Sequence, residues 1–122
     1  MILVDTSVWV DHFRSPNRRL TDYLNDTRVM CHPHVVCELA CGNLAKRKTV
    51  INLLLSLPQA PEVDPAEILV FIEKRSLSGS GLGLVDVHLL ASAELADTPL
   101  WTLDKRLDLC ARRFGLTTSS NS

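Results

Sequence analysis

The sequence predicts an α/β fold, with a parallel β-sheet and helices packed on both of its faces. Three observations predict it. Short β-prone runs alternate with longer segments of helical period, the order that yields parallel strands joined by crossover helices. The first of those runs, Ile2-Leu3-Val4, is continuously apolar, which marks a buried strand. The chain has 122 residues, 46% of them apolar, which is the size of one domain and enough for a core.

Taken in order, residues 2–5 form the first strand. Ser7 can cap the short helix that follows, on which Val8, Trp9 and Phe13 are apolar. Pro16 and Asn17 open a second helix that runs to about Asn25, and Arg28 to Cys31 make a second strand. Pro33 starts a helix from about His34 to Lys46, apolar on nearly every side and so expected to be well buried. Another helix spans Thr49 to Leu57 and ends at Pro58. Gln59 to Pro65 is a loop or a short edge strand. Ile68, Leu69 and Ile72 recur at helical spacing over residues 66–77, and Ser78-Gly79-Ser80-Gly81-Leu82-Gly83 breaks that helix. Leu84 to Ala96 is helical, Thr98 to Leu103 a strand, Lys105 to Phe114 a helix and Leu116 to Thr118 a last strand. The expected domain covers residues 1–118, with Ser119-Ser120-Asn121-Ser122 as a disordered tail. No internal repeat or domain linker is visible.

No apolar run approaches the roughly 18 residues of a membrane span. The N-terminus has neither the basic start nor the cleavage pattern of a signal peptide. The four cysteines, Cys31, Cys37, Cys41 and Cys110, are therefore expected to be reduced thiols in a cytoplasmic protein. The formal net charge is −1, which on its face disfavours a nucleic-acid partner. The distribution weakens that objection, because ten of the thirteen Lys and Arg residues fall in three clusters: Arg14, Arg18 and Arg19; Lys46, Arg47 and Lys48; and Lys105, Arg106, Arg112 and Arg113.

Four carboxylates stand among apolar residues. Asp5 follows Ile2-Leu3-Val4, Glu38 lies inside Val35-Val36-Cys37-Glu38-Leu39, Asp86 interrupts Leu84-Val85-Asp86-Val87, and Asp104 follows Leu100-Trp101-Thr102-Leu103. Burying an ionised carboxylate is costly without a compensating charge or hydrogen bonds. A divalent cation held by oxygen ligands could compensate all four, and Mg²⁺ or Mn²⁺ suits such donors better than zinc. Asp5 and Asp104 fall at the carboxyl ends of strands, where parallel α/β sheets build their sites. Asp86 falls in a first helical turn, where the helix dipole favours negative charge. Gly42, one turn beyond Glu38, leaves space for a ligand. Taken singly, each acid has an ordinary role: a cap at Asp5 or Asp104, a dipole partner at Asp86, a buried ion pair at Glu38. The hydroxyls of Thr6, Ser7 and Thr102 stand where they could hold the carboxylates in a ligating geometry.

The ordered set Ile2-Leu3-Val4-Asp5-Thr6-Ser7, Val36-Cys37-Glu38-Leu39, Leu84-Val85-Asp86-Val87-His88-Leu89-Leu90-Ala91 and Trp101-Thr102-Leu103-Asp104 resembles the PIN-domain ribonucleases, in particular the VapC toxins of bacterial toxin–antitoxin pairs. The resemblance runs from residue 1 to about 117 and includes all four acids. It implies a PIN-like α/β/α sandwich and a Mg²⁺- or Mn²⁺-dependent endoribonuclease. It also implies an RNA substrate, a cognate antitoxin that covers the site, and commonly a homodimer. Asp5, Glu38, Asp86 and Asp104 would be the acidic residues of the metal site. Asp5 and Asp86 would be the ligands, direct or through water, Glu38 would position or deprotonate the attacking water, and Asp104 would complete the site or hold a second ion. Lys105 and Arg106 are candidates for contact with RNA phosphates.

Other readings rank lower. Cys31, His32, His34, Cys37 and Cys41 lack the paired spacing of a zinc site. Ser78 to Gly83 lacks the Gly-Lys-Ser/Thr ending of a P-loop. His88 points away from Asp86 and reads as structural, Asp108 as an exposed helix residue, and Trp9 and Trp101 as core. A phosphorylation-type signalling domain would need an acidic pair after the first strand, and an Asp-x-Asp phosphatase an acid where Ser7 stands. The chief competing function is a non-catalytic PIN-like module that binds RNA or protein.

Overall fold

A computed structural model describes residues 1–118; the expected tail at 119–122 lies outside the described residues. Its elements are strand β1 (Ile2–Val4), helices α1 (Thr6–Arg14) and α2 (Arg18–Asn25), strand β2 (Val29–Met30), helices α3 (Pro33–Ala40), α4 (Arg47–Ser56), α5 (Pro65–Lys74) and α6 (Leu84–Leu95), strand β3 (Leu100–Trp101) and helix α7 (Lys105–Arg113). The three strands form a parallel sheet in the order β2-β1-β3, with Leu3 opposite both Met30 and Leu100. Successive strand residues face opposite sides of a sheet. All three residues of β1 are fully buried, so both faces of the central strand are covered and the architecture is the expected α/β/α sandwich.

The strands are shorter than the β-prone runs. Asp5 is not the end of β1 but the N-cap of α1, so Ser7, expected as the cap, lies inside that helix. The last expected strand, Leu116 to Thr118, is no strand among the described residues. Leu116 contributes one backbone bond, accepting the Leu100 N–H at 2.8 Å beside β3. Of Gln59 to Pro65, only Gln59 pairs, in a single parallel bridge to Cys31 outside β2. The β2 edge is thus extended by an isolated pair and the β3 edge by a single hydrogen bond, neither by a ladder.

The caps that end the loops are local. Asn17 accepts the Leu20 N–H at 3.0 Å to start α2. Asp64 and Glu67 form a reciprocal capping box that starts α5 at Pro65. The helix expected to run from about His34 to Lys46 ends at Ala40 with Cys41 as its C-cap; Gly42 and Asn43 follow in the irregular stretch before α4. Trp9 and Trp101 are core residues, and the Arg19 guanidinium covers the Trp101 ring at 4.4 Å.

Candidate active site

Asp5 is the buried member of the acid set, 6% exposed. Its Oδ2 accepts hydroxyl protons from Ser7 Oγ and Thr102 Oγ1, each at 2.7 Å. Such hydrogen bonds compensate the burial of a carboxylate. The same two hydroxyls bind the turn after β3: Ser7 Oγ accepts the Leu103 N–H at 2.9 Å, and Thr102 Oγ1 accepts the Asp104 N–H at 3.0 Å. Asp104 then caps α7 by accepting the Leu107 N–H at 3.0 Å. Parallel pairing of β1 with β3 brings the two strand ends together, and the hydroxyls fasten them.

The helix acids enter from other directions. Thr6, the first residue of α1, donates its hydroxyl to Glu38 Oε1 on α3 at 2.7 Å. Asp86, in the first turn of α6, accepts the Gly83 N–H through Oδ2 at 3.2 Å. Burial pushes the Asp86 carboxyl above its ordinary range; the Gly83 bond opposes this, and the charges of Asp5, Asp104 and Glu38 add to it. Four chain segments therefore converge on one electrostatic neighbourhood.

Burial departs from expectation. Glu38 and Asp104 are exposed and Asp86 is half-buried, so burial compensated by a cation describes Asp5 and part of Asp86 only. The helical period explains Glu38. Val35, Val36 and Leu39 face the core, while Cys37 and Glu38 face outward. The site is an open acidic surface over a buried anchor.

Each carboxylate commits one oxygen to hydrogen bonds, and among the described residues the other has no hydrogen-bond partner: Asp5 Oδ1, Glu38 Oε2, Asp86 Oδ1 and Asp104 Oδ2. Among the described residues no group of three or more His, Cys, Asp and Glu side chains is arranged to hold a metal ion as it stands. The chemistry of the donor set, with four unpartnered carboxylate oxygens, nevertheless fits a hard divalent cation. Lys105 and Arg106 are exposed at the start of α7, next to Asp104, and Arg106 packs over Gly81 in the loop that leads to Asp86.

The histidines around α3 have a structural use. His32 is fully buried and caps α3: its Nδ1 accepts the His34 N–H at 3.0 Å. Ser92 donates its hydroxyl to the Pro61 carbonyl at 2.6 Å, so at 3.1 Å it accepts from His32 Nε2–H. Both ring nitrogens are thus committed in the neutral form, and burial, followed by the charges of His34 and His88, lowers the imidazole pKa to about 4. Sequence reasoning missed this cap, although a polar residue before Pro33 at the first helical position signals one. His88 is buried and packs its ring against His34 at 4.5 Å, as a structural residue does.

The fold and the site define an α/β/α sandwich that brings acids from two strand ends and two helices together. The PIN domain profile matches residues 2–112, and the chain belongs to the PIN-domain family. Curated relatives carry the name Ribonuclease VapC32, from Mycobacterium tuberculosis strains CDC 1551 / Oshkosh and ATCC 25618 / H37Rv. Each is 45% identical to this chain over 117 residues, covering 95% of this chain and 94% of the relative.

Proposed function

We propose that this chain is a Mg²⁺- or Mn²⁺-dependent endoribonuclease, acting through residues 1–118 as the toxin of a type II toxin–antitoxin system. The observation that carries the reading is the geometry of the acid set: Ser7 and Thr102 fasten Asp5 to the turn that carries Asp104, and Thr6 ties Glu38 beside Asp5, with Asp86 near enough for its carboxyl to feel all three charges. The identity to proteins named ribonuclease supports RNA as the substrate.

Asp5 and Asp86 are the residues that would hold the cation, with Asp104 completing the site. When bound, a divalent cation neutralises phosphate charge and makes water a better nucleophile. Ser7 and Thr102 hold the Asp5 carboxylate in place. Thr6 fixes one oxygen of Glu38 and leaves the other to orient the attacking water and take its proton. Lys105 and Arg106 stand beside Asp104 to meet RNA phosphates.

The resemblance to VapC toxins supports a cognate antitoxin that covers the site, and a cytoplasmic setting. Among the described residues no helix is long and apolar enough to cross a membrane. A homodimer is supported by the exposed Val70 and Leu95, which line a cleft of about 620 Å³ between α5 and α6.

The test is cleavage of RNA by wild type and Asp5→Asn with Mg²⁺ or Mn²⁺ and with chelator. Cleavage that needs the cation and is lost in Asp5→Asn is the expected result. Equal cleavage by both proteins overturns the assignment of Asp5. Absence of cleavage by wild type, with RNA still bound, selects the binding module instead.

A further inference from the structure

We propose that the groove between α1, α3 and the start of α4 is a base-recognition subsite, seating the nucleotide next to the cleaved phosphodiester. The proposal rests on the nuclease reading above. The groove encloses about 510 Å³, within the range of small-ligand sites. Thr6 and Glu38, joined by their 2.7 Å hydrogen bond, form one end of it, so it opens directly from the acid site. An RNA strand whose phosphate lies at the acids has its neighbouring nucleotide within reach of this groove.

The lining has two chemical halves. Val10 and Phe13 are each 39% exposed on α1 and, with Leu39 and Val50, give an apolar surface. Arg14 and Asn43 supply the polar groups. Arg47 reaches back toward the groove, its Nη1 lying 3.5 Å from the carbonyl oxygen of Gly42, another lining residue. Among the described residues neither Arg14 nor Arg47 is in an ion pair.

A single-stranded nucleotide matches these halves. Its base has an apolar face for Phe13 and a polar edge for the Asn43 amide, which both donates and accepts. Its flanking phosphates meet the guanidinium groups of Arg14 and Arg47. The groove is continuous with the acid site through Thr6 and Glu38, and that continuity favours a nucleotide of the bound strand over a separate protein segment.

The test compares wild type, Phe13→Ala, Phe13→Tyr and Asn43→Ala on single-stranded RNA with randomised positions flanking the cut, sequencing the product ends and measuring kcat/KM. Phe13→Ala is expected to lower kcat/KM about tenfold, the size of one lost base stack, and to flatten the preference at one position beside the cut. Phe13→Tyr keeps the wild-type preference. Asn43 is exposed, so Asn43→Ala should leave the thermal melt unchanged while altering which base is preferred. Photocrosslinking of a 4-thiouridine oligonucleotide to the intact protein should label the peptide that contains Phe13. If wild type cleaves and all variants keep its kcat/KM and preference, the groove holds no base; the nuclease reading stands and a protein segment becomes its occupant. If wild type cleaves nothing, the nuclease reading falls and this proposal with it.

Discussion

Thr102 donates its hydroxyl proton to Asp5 Oδ2 at 2.7 Å, across a separation of 97 positions in the chain. Its oxygen also accepts the Asp104 N–H, so one buried hydroxyl orients both strand-end acids. Thr102→Val keeps the shape and removes both bonds. Asp5 is buried and loses a donor, which should cost about 1–3 kcal/mol in urea denaturation. RNA cleavage should fall by about tenfold or more, as for other groups that orient metal-site residues. Thr102→Ser should restore both. A Thr102→Val protein with wild-type stability and cleavage removes Thr102 from this role.

The raised carboxyl of Asp86 implies a conflict between stability and function. An acid whose pKa is higher in the folded state binds its proton more tightly there. Its stabilising contribution is present below the unfolded pKa and lost as pH rises through the folded pKa. At neutral pH in chelator, Asp86→Asn should therefore be more stable than wild type. The gain should appear as a higher melting temperature for the variant. The amide oxygen can still accept the Gly83 N–H, so the cap survives. Added Mg²⁺ or Mn²⁺ should raise the melting temperature of wild type and not of the variant, which should also be inactive. A variant less stable than wild type in chelator contradicts the electrostatic account.

Acid sensitivity should trace to His32. Its pKa is lowered to about 4 in the fold from the ordinary 6.5. Between these values the unfolded chain binds a proton that the folded protein does not, so stability falls as pH drops from 6.5 towards 4. The displacement corresponds to about 3 kcal/mol. Protonation at Nδ1 would also set an N–H against the His34 N–H and remove the cap of α3, which carries Glu38. His32→Asn keeps a capping acceptor without a titrating group and should flatten the acid slope in pH-dependent urea denaturation. An unchanged slope places the acid sensitivity elsewhere.

The order of elements and the two strand-end acids were legible because they depend on local signals. A β-prone run followed by Asp reads the same way in sequence and in space, and Asp5 and Asp104 do cap the helices that follow. Strand length was not legible. Thr98 to Leu103 is β-prone throughout, yet the ladder of β3 covers only Leu100–Trp101, because pairing depends on what lies alongside. The exposure of Glu38 was hidden by its apolar sequence neighbours, which a helix distributes to other faces. Its bond to Thr6, spanning 32 positions, and the groove beside it arise only when α1 packs on α3. Gly42 lines that groove, but it lies beyond the end of α3, and a Cβ there would meet the Leu39 carbonyl at the ordinary contact distance of 3.6 Å.

The loop that leads to Asp86 is held by Gly81. Its φ is +84°, and a Cβ there would collide with the Arg106 guanidinium. Gly79, two residues earlier, has a φ of +73° with open space around it. The pair separates backbone strain from packing. Gly79→Ala should cost about 1–2 kcal/mol, the left-handed penalty alone. Gly81→Ala should cost no more than this, because the atoms its Cβ meets are the far end of the exposed Arg106 side chain, which can swing away. The two alanines should therefore match in urea denaturation, and an Arg106→Ala background should leave the cost of Gly81→Ala unchanged, which a double-mutant cycle measures directly. A cost for Gly81→Ala clearly above that of Gly79→Ala, relieved by Arg106→Ala, would show instead that Arg106 is held against this loop.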